Sequence, residues 1–106
     1  MTSELDFFLD WFYLHCDGEW EHDLGISIET LDNPGWILKV RIADTDLEGK
    51  VLERQTDDLS DVVWLHWSSD GETFVAACGP RDLGRAFAAF RTFVQGPLYP
   101  PSPTTD

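Results

Sequence analysis

The chain has 106 residues and a net charge of −13, from twenty acidic against seven basic side chains. A domain of this length buries roughly two-thirds of its unfolded surface, and 42% hydrophobic with 13% aromatic residues is a packed globular composition that excludes a disordered chain. So few cations exclude a strong phosphate-neutralising patch for nucleic acid and argue against an anionic membrane surface; they favour a basic partner, although acidity also serves plain solubility.

The first ten residues carry three acids and no base, unlike the positive start of a secretory signal. No apolar run approaches the ~18 residues of a membrane span. A cytoplasmic chain is expected. Cys16 and Cys78 are then reduced thiols, because two cysteines make no disulfide framework.

Residues 3–15 read as the first helix. Ser3 is a candidate N-cap, and Glu4 and Asp6 put negative charge where the macrodipole favours it. Leu5, Phe8, Leu9 and Phe12 form a stripe at helical spacing; Phe7, Trp11 and Leu14 widen it until most of the circumference is apolar. Such a helix is either covered by its own domain or offers a surface to a partner. Residues 16–23 follow as a polar connection. Residues 25–31 alternate as a strand with Ile26, Ile28 and Thr30 on one face. Residues 36–43 alternate with Trp36, Leu38, Val40 and Ile42 together. A two-residue loop between them would pair Ile28 with Arg41. A three-residue Asn33-Pro34-Gly35 loop sets Ile28 opposite Val40, Ile26 opposite Ile42 and Glu29 opposite Lys39, which matches the apolar faces. Gly35 then takes the left-handed position of the turn.

Residues 50–56 are a weaker, charge-punctuated strand suited to an edge. Residues 62–68 and 72–78 form a second hairpin around an Asp70-Gly71 turn. Its register pairs Trp67 with Phe74, Leu65 with Ala76 and Val63 with Cys78 on one apolar face, leaving Trp64, His66, Val75 and Ala77 on a mixed one. Pro80 suits the first turn of a last helix running to about residue 94. Leu83, Phe87, Phe90 and Val94 give its buried stripe, beside Ala86 and Phe93, with Arg81, Arg85 and Arg91 on the rest of its surface. The predicted fold is α+β, an antiparallel meander sheet of about five strands with an N-terminal and a C-terminal helix. Residues 1–94 make the single domain. Residues 95–106, with Gly96 and four prolines, make an extended or disordered tail.

The densest polar cluster is His15-Cys16-Asp17-Gly18-Glu19-Trp20-Glu21-His22-Asp23. It holds metal-ligating and acid–base groups, but no paired-ligand spacing of a zinc site, no nucleophile motif and no Gly-rich phosphate loop. No catalytic residue, cofactor or metal is predicted. His66 on a strand reads as a hydrogen-bonded structural residue, and Cys78 as a small core hydrophobe. The same cluster suits protein binding. Nine acids and no Lys or Arg precede Lys39. A Trp among carboxylates offers contact area, while the carboxylates accept Arg or Lys. The predicted partner-binding residues are Asp17, Glu19, Trp20, Glu21, His22 and Asp23, with Trp20 as an anchor; the competing expectation makes Trp20 a plug at the end of the sheet.

The run Cys16-Asp17-Gly18-Glu19-Trp20-Glu21-His22, then Gly25-Ile26, then Thr30-Leu31-Asp32-Asn33-Pro34-Gly35-Trp36 resembles the signature of the immunity protein 53 family. Trp11, Tyr13 and Leu47-Glu48 are similar too, and His15 and Leu24 depart from it. The likeness spans about residues 11–94. It implies a bacterial polymorphic toxin system, in which the immunity protein sits in the producing cell's cytoplasm and binds a cognate toxin domain, often a nuclease. A small-molecule or carbohydrate-binding domain using the aromatic-rich sheet face is the alternative expectation, and an enzyme built on the 15–23 cluster a third. A toxin gene immediately upstream separates the first from both others.

Overall fold

The computed structural model describes residues 3–96. Helix α1 spans Glu4–His15 and starts where predicted: the Ser3 hydroxyl accepts the Asp6 amide at 3.0 Å. A single helical turn, α2 at Trp20–Asp23, stands inside the expected polar connection. The strands are β1 Ile26–Leu31, β2 Gly35–Arg41, β3 Val51–Asp58, β4 Trp64–Asp70 and β5 Thr73–Cys78. Helix α3 spans Leu83–Gln95. It starts three residues after Pro80, which lies in the preceding turn rather than in the helix. From residue 97 on, the predicted tail lies outside the described residues.

All four strand pairings are antiparallel, in the order β1-β2-β5-β4-β3. The expected α+β architecture is present. β3, β4 and β5 run as a meander; the β1–β2 hairpin joins it by setting β2 beside β5, so the 42–50 connection crosses the end of the sheet to reach β3. Three backbone bonds hold that crossing to the β4–β5 turn: Ile42 N–H (2.8 Å) and Ala43 N–H (3.3 Å) to the Glu72 carbonyl, and Gly49 N–H to the Gly71 carbonyl (2.7 Å). Gly71 has φ +96°, which a side chain would strain. β3 is an edge strand, as its charges suggested, and bulges between Leu52 and Gln55.

Both hairpin registers differ from expectation by two residues, which leaves the paired side chains on their predicted faces, while Val63, expected opposite Cys78, falls in the bend before β4. Ile28 lies opposite Leu38, and Val40 opposite Ile26. The first loop has three residues, but they are Asp32, Asn33 and Pro34, so Glu29 faces Ile37 rather than Lys39. Gly35 is in the strand, not in a left-handed turn. A Cβ there would run into the Cys78 carbonyl oxygen, with the Trp64 ring 3.2 Å away. Close approach of β2 to β5 demands this glycine. In the second hairpin Trp67 faces Ala76 and Leu65 faces Cys78.

Helix α3 packs on the face carrying Leu38, Val40, Leu65, Phe74, Ala76 and Cys78, all buried, and α1 packs against α3. Their contact is aromatic: Phe8 meets Phe87 (centroids 4.6 Å apart) and Phe90 (5.6 Å), and Phe90 meets Phe74 (5.2 Å). Each such ring contributes roughly 1.5–3 kcal/mol by burial. α3 buries Ala86, Phe87, Ala89, Phe90 and Phe93, with Leu83 and Val94 only partly covered. α1 is rotated from its predicted stripe. It buries Phe8 and Trp11 and half-buries Phe7 and Phe12, leaving Leu5 and Leu9 exposed. Turning the larger aromatic surfaces inward removes more apolar area from water. Lys50 is buried where α3 ends. Its ammonium donates to the Phe93 and Gly96 carbonyls, and burial pushes its pKa down.

Candidate functional site

The predicted 17–23 segment is a tightly bonded corner between α1 and β1. The Cys16 thiol donates to the Phe12 carbonyl (3.2 Å) as α1 ends, and Gly18, with φ +95°, turns the chain. One Asp17 carboxylate oxygen then accepts the Glu19 and Trp20 amides, both at 2.9 Å. The Glu21 carboxylate reaches back to the Asp17 (2.9 Å) and Gly18 (2.8 Å) amides. These reciprocal bonds satisfy four successive backbone amides, three in the turn and that of Trp20 at the start of α2. Amide bonds, first that from Trp20, hold the Asp17 carboxyl below its ordinary pKa. Amide bonds also lower Glu21, its own amide first. Neighbouring acids and burial have the opposite effect on the Cys16 thiol, raising it with burial as the larger cause.

Trp20 is 4% exposed. Its indole N–H donates to the Arg41 carbonyl (3.1 Å), and its ring meets Trp11 edge-on at 5.7 Å and Phe12 at 5.9 Å. The expectation of an accessible Trp20 anchor is therefore corrected: its ring fills the junction of α1 and the sheet. The polar sequence around it misled, because the α1 rings and the Arg41 carbonyl that enclose it lie elsewhere in the chain. Asp17 and Glu21 shape the loop. Glu19, His22 and Asp23 are exposed. Glu19 and Asp23 share the rim of a shallow depression of about 400 Å³ with Asp17, Trp20, Leu24 and Asp44.

The rest of the 15–23 cluster does not converge. His15 stacks on Trp11 (4.1 Å), with Nδ1 2.8 Å from the Trp11 carbonyl and Nε2 3.1 Å from Asp46. Among the described residues no three His, Cys, Asp or Glu side chains gather as a metal site would require. Burial, assisted by Asp82, pushes the Cys78 thiol up to about 11. His66 is hydrogen-bonded on the uncovered sheet face. The Arg54 guanidinium has only donors, so His66 Nδ1 accepts from it (2.8 Å) and Nε2 donates to Asp58 (2.6 Å). Beside it Trp64, Asn33, Leu59 and Asp61 line a wide depression of about 710 Å³. Of the α3-region arginines, Arg85 bonds Asp57 and lies 3.5 Å from Asp82, and Arg91 bonds Glu4 at 3.0 Å. The exposed side of α1 was half legible as excess apolarity, but the sequence did not say which residues would face outward.

Small α+β domains of this kind host unrelated activities, so the fold alone assigns none. The chain belongs to the immunity protein 53 family, whose model matches residues 5–95. Membership makes it an immunity protein and implies a cognate toxin as its partner. No curated protein and no solved structure matches the chain. No helix among the described residues is long and apolar enough to cross a membrane.

Proposed function

We propose that this chain neutralises a basic toxin domain, of the kind that acts on nucleic acid, by binding it in the cytoplasm of the producing cell without catalysis. The family match over residues 5–95 in a chain of net charge −13 carries the reading. Opposite fields accelerate encounter, and carboxylates at a rim set association rate more than lifetime. The exposed Glu19, His22 and Asp23, with Asp44 beside them, supply that rim; Asp17, Glu21 and the buried Trp20 hold it in shape. Co-expression with candidate toxin domains tests it. Growth should be rescued, and the purified pair should co-elute with an affinity that falls as salt rises. No rescue and no complex would overturn the reading.

The alternative, a small-molecule or carbohydrate site, is favoured by one observation. Trp64 stands beside Asn33, Asp58, Asp61 and His66 in the 710 Å³ depression, a ring with polar groups around it. A raised melting temperature in a panel of sugars, lost in Trp64→Ala, would support it; no shift with any sugar rejects it.

A further inference from the structure

We propose that the outer face of α1 is the surface on which the basic toxin domain docks, with Leu5, Leu9 and Tyr13 as the anchors; this rests on the immunity reading above. The three residues recur every four positions, so they form one row along the helix. They are 48%, 51% and 79% exposed, and Leu14, on the same outer half, is 78% exposed. The fold has already chosen what it needs from α1: Phe8 and Trp11 face the core, and α3 covers that side. Among the described residues, the hydrophobic core does not include the outer row. Isolated exposed apolar residues need no explanation, but a row of them on one short helix marks an interaction surface.

Charge selects the occupant. At 100° per residue, Asp6 and Asp10 form the next row beside Leu5, Leu9 and Tyr13, and both are exposed. The chain leads from Leu14 directly into the Asp17–Asp23 corner, where Glu19 and Asp23 face outward. An apolar strip bordered by carboxylates, with tyrosine at one end, has the composition of an anchor and its rim. A basic surface with an apolar centre fits it. A second copy of this chain would bring another −13 and the same acids to the seam. The sequence pointed to an aromatic anchor at Trp20; among the described residues the exposed aromatic is Tyr13, seven residues earlier.

The test uses the full chain and the purified toxin domain from which it protects cells in co-expression, with binding kinetics recorded by surface plasmon resonance. Leu5→Gln, Leu9→Gln and Tyr13→Gln are combined in one variant. Glutamine keeps the helix propensity and removes apolar contact, so the melting temperature should stay within a few degrees of the parent. A control variant, Val51→Gln with Val62→Gln, removes exposed apolar side chains outside α1 instead. The triple variant should dissociate roughly tenfold faster or more, and Tyr13→Gln alone should account for a large part of that. The control should bind like the parent. A folded triple variant with parental kinetics overturns the proposal while leaving the immunity reading intact. So does a parent that sediments as a dimer and becomes monomeric in the triple variant, since a second copy would then own the face. A parent that binds no toxin overturns both.

Discussion

Replacing Trp20 by alanine should unfold this protein before it weakens binding. An indole buries about 150–250 Å²; at ~25 cal/mol per Å² that is about 4–6 kcal/mol, an upper estimate because the unfolded chain already hides part of it. Core Phe or Trp to Ala changes cost about 3–5 kcal/mol. The Arg41 carbonyl also loses its indole donor, worth about 1 kcal/mol. Against a domain stability of about 5–15 kcal/mol, Trp20→Ala should lower the melting temperature by roughly 15 °C or more. Trp20→Phe keeps a ring against Trp11 and Phe12 but loses the Arg41 bond, and should fall between. Urea unfolding followed by circular dichroism gives the midpoints, and toxin kinetics on the same samples, at a temperature where each is folded, separate stability from affinity. The core assignment would be refuted by Trp20→Ala with an unfolding free energy within about 0.5 kcal/mol of the parent's and a weaker complex.

Three further outcomes follow from particular contacts. Gly35→Ala should destabilise by about 1–3 kcal/mol through collision with the Cys78 carbonyl; a neutral substitution in thermal unfolding would contradict the close β2–β5 approach. Amide bonds hold the Glu21 carboxyl below its ordinary value of 4.5. Its stabilising share is therefore present above that pH and lost as pH falls through the lower folded value, so Glu21→Gln should flatten the decline of melting temperature between pH 5 and pH 3. Equal slopes in the two proteins would argue against those bonds. With its thiol pushed up to about 11 and fully buried, Cys78 should resist a disulfide-exchange reagent at pH 8 until the protein is unfolded; rapid native labelling of Cys78, read by mass spectrometry, would contradict its burial.

What the sequence revealed and what it hid divide along the range of the interaction. Alternation put Leu38, Val40, Phe74 and Ala76 on the covered face, and Ser3 capped α1, because those signals live within a few residues. Periodicity could not choose between the overlapping stripes of α1: Leu5 and Leu9 scored as well as Phe8 and Trp11 until α3 supplied partners for the rings. Gly35 was assigned to the nearest turn, since the Cys78 carbonyl that requires it is more than forty residues away. Trp20 sat among carboxylates in the sequence and among aromatic rings in space. The pairing of β2 with β5 likewise left no local trace, although the antiparallel sheet and its two helices did.

The sharing of one core between the two ends of the chain also fixes when the protein becomes competent. Phe8 of α1 finds its partners in Phe87 and Phe90 of α3, and β2 cannot pair on its inner side until β5 exists. A nascent chain that has not reached Gln95 therefore has an open sheet and an uncovered aromatic helix. At ribosomal speeds of about 5–20 residues per second, that vulnerable interval is on the order of 5–20 s. Truncated products should be cleared by proteases rather than protect the cell.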